Sequence, residues 1–258
     1  MAVLFDPQSP VFQAAVAPFL LSFILVGILT LLTGASGRSF AVCGVAIAII
    51  TAYWLGFSWP PFPPKAASHK IAYLIVIAAA LSFLLTERLP LRKIATAILY
   101  IAVIAGVAWI GQSKLERGDV LPVVLVAIAA VVAVFGLSLR PQETVENGVA
   151  VLVSGFIIAG IAFLAPSASI AQLALAITAA TGGFLVWTWP TVRLSFSQAG
   201  IAAMGLPMIW LASQASLFSR ANDWALLIAV SIAFAPAIRA ALITVPALSN
   251  RFTRPIST

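Results

Sequence analysis

The chain contains nine long apolar stretches, which are separated by short breaks with charged, proline or glycine residues. A helix needs about 20 apolar residues to cross the hydrocarbon core of a bilayer, and most of the stretches approach that length. The predicted spans are residues 11–33, 40–57, 71–86, 94–111, 120–138, 148–165, 169–188, 199–218 and 224–245. The third is the shortest. Because most connections have only about 4–12 residues, neighbouring spans are expected to pack as antiparallel hairpins.

Composition places these helices in lipid. The 258 residues are 62% hydrophobic and 8% charged, whereas a soluble domain carries about 25% charged residues. A transmembrane β-barrel would show short segments of alternating polarity, but here the apolar runs are continuous. The sequence therefore predicts an all-α membrane protein, a single polytopic bundle of about nine transmembrane helices (8–10) over residues 1–258, with short loops and no soluble domain.

The net charge of +7 predicts contact with anionic membrane lipids rather than with nucleic acid, because the basic residues do not form a patch with interleaved aromatics. With the N-terminus outside, eight Lys and Arg residues fall inside and five outside. The inner set is Arg38, Arg88, Arg92, Lys93, Arg140, Arg193, Arg251 and Arg254, and the outer set is Lys65, Lys70, Lys114, Arg117 and Arg220. This bias favours an outside N-terminus and an inside C-terminus, in a membrane such as a bacterial cytoplasmic (inner) membrane.

Few residues suit catalysis or metal binding. His69, expected in a solvated loop, and Cys43 are the only residues of their types, and their spacing does not suggest a metal or haem site. Ser154-Gly155 lacks the glycine-rich context of intramembrane serine peptidases. All acids fall at loops or span ends, which disfavours a proton relay. We expect a protein that is not an enzyme and holds neither a cofactor nor a metal.

Span nine holds the most informative polar residue, Arg239. It lies about 22 Å along the helix from Trp224, and an arginine at that depth costs about 3 kcal/mol on insertion scales. Its side chain either extends to the inner interface or bonds a carbonyl, or it contacts an anion, a lipid phosphate or a partner carboxylate. Pro236, just before it, is expected to free a backbone carbonyl and kink the helix.

Span eight is expected to be interrupted at Gly205-Leu206-Pro207. Broken membrane helices expose backbone groups that line substrate or ion sites. Ser154 in span six and Thr181 in span seven belong to faces rich in small residues. Such faces serve either close helix packing or a polar path.

The connection after span two has four prolines in five positions. This composition predicts a stiff polyproline-type segment, held at the interface by its aromatic residues. It is either a rigid connector, a docking ridge for another protein subunit, or a cap over a pore. The candidate docking residues are Trp59, Pro60, Pro61, Phe62, Pro63 and Pro64.

Two function classes remain open. A permease-like or channel-like subunit for a small solute is favoured by the number of spans, the interrupted helices and Arg239. A non-catalytic subunit that scaffolds or anchors a larger membrane complex is favoured by the lack of ionisable residues at depth and by the proline-rich loop. A permease is expected to show a polar cavity near the midplane, reached by Arg239 or by the break at Gly205–Pro207.

Overall fold

The computed structural model describes residues 9–34, 40–64, 66–86, 92–139, 144–189, 194–219 and 222–238. Within these ranges, seven helices are long and apolar enough to cross a membrane, and two apolar helices are shorter. The seven are α1 (Phe12–Thr33), α3 (Ala67–Leu84), α4 (Arg92–Ile110), α5 (Val120–Leu139), α6 (Thr144–Leu164), α7 (Ala168–Val186) and α8 (Ser197–Phe218). The two shorter helices are α2 (Phe40–Gly56) and α9 (Asp223–Ile238).

This arrangement confirms the predicted all-α polytopic bundle. The prediction that the third span is the shortest is wrong, because α3 begins at Ala67 and is longer than α2. The helix includes His69 and Lys70, whereas the sequence predicts both residues in a loop. Lys70 can join it and be buried because its Nζ donates hydrogen bonds to the Trp109 carbonyl at 2.6 Å and to Gln112 Oε1 at 3.0 Å.

Helix α8 stands at the centre of the bundle. It contacts α2, α3, α4, α5, α6, α7 and α9. Those seven helices also contact one another in a closed ring, in the order α2, α3, α4, α5, α9, α6, α7 and back to α2. As a result, 89% of a membrane-length stretch of α8 is buried, against 28% for α1.

Helix α1 packs outside the ring, against α2 and α7. Its contact with α7, here called the α1–α7 seam, depends on close approach and on two interhelical hydrogen bonds. Ser22 Oγ donates to the Ala180 carbonyl at 2.6 Å, and Trp187 Nε1 donates to the Phe23 carbonyl at 2.8 Å. At Gly183, a Cβ would lie 2.5 Å from the Phe19 carbonyl oxygen, so only glycine fits the observed spacing.

The outer surface of the bundle is apolar. Large aliphatic and aromatic side chains are exposed along most of the outer helices, as expected where lipid is the solvent. Exposed tryptophans sit at or near helix ends, where amphipathic rings favour the membrane–water interface. They include Trp54, Trp189 and Trp224. These features place the protein in a membrane, in contact with lipid.

Candidate functional site along the central helix

A wide turn interrupts the regular hydrogen bonding of α8 at the predicted position. Residues Ile201–Gly205 form a π-helical turn, and the Leu206 N–H donates to the Ile201 carbonyl five residues back. Pro207 follows at once. Proline lacks an N–H and its ring crowds the carbonyl four residues earlier, and the wider turn relieves that conflict. The helix is therefore locally widened but continuous, rather than broken as the sequence suggested.

Gly205 and Ser154 meet at one cavity of about 30 Å³ between α5, α6, α8 and α9. The remaining lining residues are aliphatic or Met208. The Ser154 hydroxyl donates to the Ala229 carbonyl of α9 at 2.9 Å, so it ties two helices together. The cavity expected at the break is present, but it is apolar rather than polar.

The other sequence candidates lie apart from this cavity. Thr181 Oγ1 donates to the Ile177 carbonyl of its own helix at 2.8 Å. Pro236 is buried in α9, and the carbonyl that it was expected to free, that of Ile232, accepts a tight-turn bond from the Ala235 N–H. Arg239 lies outside the described residues, as do most of the basic residues that favour the predicted orientation, so those inferences stay predictions.

Two buried polar atoms of α8 have no hydrogen-bond partner. Gln198, near the start of the helix, donates from Nε2 to Thr96 Oγ1 of α4 at 3.1 Å, but its Oε1 is unpaired. Trp210, further along, is 1% exposed and its indole Nε1 is unpaired. An unmet buried donor or acceptor costs about 1–3 kcal/mol, and in a lipid-embedded bundle there is no outside water to compensate.

The wide turn sets these two residues on the same side of α8. In a regular α-helix, residues twelve positions apart point about 120° apart, and the additional residue of a π turn removes about 100° of that angle. Accordingly, both residues face α4: Gln198 bonds Thr96, and a Cβ at Gly106 would overlap the Trp210 indole nitrogen. The turn at Gly205–Pro207 thus aligns polar groups along one helix–helix contact.

A second cavity of about 30 Å³ lies beside the last turns of α8. It is lined by hydroxyl, phenol and amide side chains together with aliphatic and aromatic ones. The polar members are Tyr53, Ser68, Ser169 and Gln214. This cavity, here called the polar cavity, lies near one face of the bundle. The permease interpretation called for a polar cavity near the midplane, at the break or beside Arg239, so this cavity does not meet that expectation.

Gln198, Trp210, Gln214 and Tyr53 were not among the sequence candidates, although the sequence carries a signal for one of them. Six of the seven tryptophans fall near predicted span ends and Trp210 does not. Gln198 and Gln214 stand out only in the structure, because they belong to the most buried of the membrane-length helices. Nothing in the sequence pairs Tyr53 with Gln214, because that contact depends on the ring of helices.

The loop of Trp59–Pro64, here called the proline loop, packs on aromatic side chains at the same face as the polar cavity. Tyr73 of α3 donates its hydroxyl to the Pro60 carbonyl at 2.9 Å, and its ring lies 5.8 Å from that of Trp59 and 5.9 Å from that of Phe62. The Phe62–Pro63 peptide bond is cis. Pro60 is buried, whereas Phe62 is 80% exposed. The loop therefore presents two exposed aromatic side chains, since Trp59 is also 41% exposed, and Phe62 is the more exposed of the two.

Comparisons with known proteins supply no family. No protein-family model matches the chain, and searches of curated proteins and of solved structures find no match. Function must therefore be inferred from the site itself.

Proposed function

We propose that the protein is a permease-like or channel-like membrane subunit and that a small solute moves along the central helix α8. The observation that carries this proposal is a set of polar groups on α8 that have no hydrogen-bond partner among the described residues. They are Gln198 Oε1, Trp210 Nε1 and the Gln214 amide. Native interiors rarely leave such groups unpaired, and each one calls for a partner such as a water or an ion.

The positions of these groups suit a path across the membrane. From Gln198 to Gln214 the helix rises about 24 Å, which is most of the roughly 30 Å hydrocarbon core. The three groups are separated by apolar and small residues. A solute that forms hydrogen bonds would exchange one partner for the next instead of crossing the whole core unpaired.

The apolar cavity supports movement of α8 during passage. It lies next to the wide turn, on the side of Gly205, Met208 and Ile209. Unfilled space on one side of a helix lowers the cost of a small shift, because no packed side chain has to be displaced. Helix shifts of 1–2 Å are a common form of switching in proteins.

The test is permeation in proteoliposomes. Purified protein is reconstituted and challenged with gradients of water, urea and glycerol, and the vesicle volume is followed by stopped-flow light scattering. We expect faster relaxation than in empty vesicles for at least one of these solutes. Gln198→Leu removes the first polar group and should slow that flux about two- to tenfold, the value of one hydrogen bond.

Gln172→Leu is the matched control, because Gln172 lies on α7 of the surrounding ring and is half-buried. It should leave the flux unchanged. Relaxation no faster than that of empty vesicles for all three solutes, or an equal loss in both variants, would contradict the proposal.

The alternative function, a subunit that anchors or scaffolds a larger complex, is favoured by the proline loop. Its aromatic base fixes the backbone, and exposed Phe62 is a large apolar contact at the membrane surface. Aromatic residues, phenylalanine among them, are enriched at the core of protein–protein interfaces.

A further inference from the structure

We propose that the polar cavity between Tyr53, Ser68, Ser169 and Gln214 binds a small neutral molecule that both donates and accepts hydrogen bonds. The proposal rests on the permeation function proposed above, since the cavity would be a binding site at one end of the path along α8. Its binding claim is also testable by itself.

The cavity forms where four helices meet. Tyr53 and Phe57 lie at the end of α2, Ser68 at the start of α3, Ser169 at the start of α7, and Gln214 in the last turns of α8. The two serines are exposed, and they mark the side on which the cavity reaches the face that carries the proline loop. A small molecule at this face therefore has a direct approach to Gln214.

The inner wall holds two polar side chains that are almost fully buried. Tyr53 and Gln214 are each 6% exposed. Within the described part of the chain, neither the phenol hydroxyl nor the side-chain amide forms a hydrogen bond. Neighbouring polar residues on α8 behave differently, because the Ser213 hydroxyl donates to the Ile209 carbonyl at 2.8 Å. Two polar side chains without a hydrogen bond thus lie together in the wall of the cavity.

The size and charge of the cavity define the occupant. A cavity needs about 10–15 Å³ to hold one water, so about 30 Å³ holds two waters or a neutral solute of similar size. Among the residues that the structure describes, the lining carries no Asp, Glu, Lys, Arg or His. The adjacent Lys70 amine is already bonded to Trp109 and Gln112. An ion would enter unpaired at a large cost, so a neutral molecule is favoured.

The functional groups match such an occupant. A phenol hydroxyl donates one hydrogen bond and accepts others on its oxygen, and a glutamine amide offers two donors and a carbonyl acceptor. Water satisfies this set, and so does a small amide such as urea. Water and urea therefore share the same recognition chemistry. Whether the bound molecule stays in the cavity or passes through it is a separate question.

The first arm of the experiment detects water at Gln214 in the full-length protein in bilayers. Glutamine side chains are labelled with nitrogen-15, and polarisation transfer from water to each amide is timed by solid-state NMR. Gln214→Leu identifies the signal by its loss, and Ser213→Ala is the control that leaves it in place. We expect transfer to Gln214 as fast as to the exposed Gln112 amide.

Tyr53→Phe provides a second variant with little change in shape. It removes the phenol hydroxyl from the cavity wall. The polarisation transfer from water to Gln214 should then be slower, while the Gln214 amide signal remains. Transfer to Gln214 as slow as to the buried backbone amides of α8 would overturn the proposal, whatever the flux.

The second arm measures water and urea flux in proteoliposomes for Gln214→Leu against Ser213→Ala. Fast transfer together with reduced flux in Gln214→Leu alone identifies a passing occupant and supports both the site and the permeation function. Fast transfer with unchanged flux identifies resident water. In that case the site stands and the path proposed along α8 fails.

Discussion

The α1–α7 seam and the interior face of α8 differ in whether their polar side chains find hydrogen-bond partners. In the seam, the Ser22 hydroxyl and the Trp187 indole each donate to a carbonyl of the facing helix. On α8, the Trp210 indole and the Gln198 carbonyl oxygen have no partner, although both residues are more than nine-tenths buried. One protein thus contains two tryptophans in a helix interface, one paired and one unpaired.

The polar groups of the seam hold the bundle together, whereas the unpaired groups of α8 are those for which we propose a partner from outside. Hydrogen bonds between membrane helices contribute about 0.6 kcal/mol on average, and the seam gains this amount twice while its helices approach closely. On α8, Gln198 Nε2 makes one such bond to Thr96, whereas Gln198 Oε1 and Trp210 Nε1 contribute nothing of this kind in the absence of a partner. The proposed function accounts for these unpaired atoms by a molecule that reaches them.

The largest effect is expected in the seam. Gly183→Ala places a Cβ against the backbone of α1, 2.5 Å from the Phe19 carbonyl oxygen and 2.9 Å from the Phe23 nitrogen. Backbone cannot move aside as a side chain can, so we expect a loss of about 3 kcal/mol in the free energy of unfolding. The measurement is reversible unfolding in mixed detergent micelles.

Gly182→Ala is the matched control on the neighbouring residue. Its Cβ would meet only ordinary contacts, the closest being a Phe19 ring atom at 3.6 Å, and the free energy of unfolding should change by less than about 0.5 kcal/mol. Similar losses in both variants would show that the seam is not set by close approach at Gly183.

A smaller effect distinguishes the two tryptophans. Benzothienylalanine keeps the shape of tryptophan but replaces the N–H with sulfur. At position 187 this substitution removes the bond to the Phe23 carbonyl and should lower the free energy of unfolding by about 0.5–1 kcal/mol. At position 210 no protein bond is lost, so the change should stay within about 0.5 kcal/mol. Equal losses would mean that Trp210 has a protein partner after all.

The smallest effect on stability is expected in the proline loop. Phe62→Ala should change the free energy of unfolding by less than about 0.5 kcal/mol, because the side chain is exposed. The anchoring function predicts instead that a photoreactive phenylalanine analogue at position 62 forms a discrete protein crosslink in native membranes. The same analogue at Phe163, which is 77% exposed at the end of α6, should label lipid. Identical labelling at both positions would argue against docking by this loop.

The helices themselves could be predicted because each is a continuous apolar run. The start of α3 is predicted too late because a lysine such as Lys70 is typical of a loop. In the structure, hydrogen bonds to the Trp109 carbonyl and to Gln112 stabilise Lys70 inside the helix. Such a partner is contributed by another helix, so a single segment gives no sign of it.

The local disturbance at Gly205–Pro207 could also be predicted, since proline conflicts with regular helical bonding. Its form as a widened turn could not, nor could the central position of α8. A membrane helix exposed to lipid and one enclosed by other helices are both apolar on all sides, so periodicity does not separate them. Whether Trp210 finds a partner depends on which residue of α4 faces it, and that residue is Gly106.

The central claim is that a small molecule from outside the protein reaches the interior face of α8, and exchange of the indole protons tests it most directly. In bilayers containing protein labelled with indole nitrogen-15, exchange into deuterated water is timed for Trp210 and Trp187. We expect Trp210 to exchange faster, although it is the more buried of the two, because its N–H is unbonded and the proposed path brings water to it. Protection of Trp210 equal to or longer than that of Trp187 would contradict the claim.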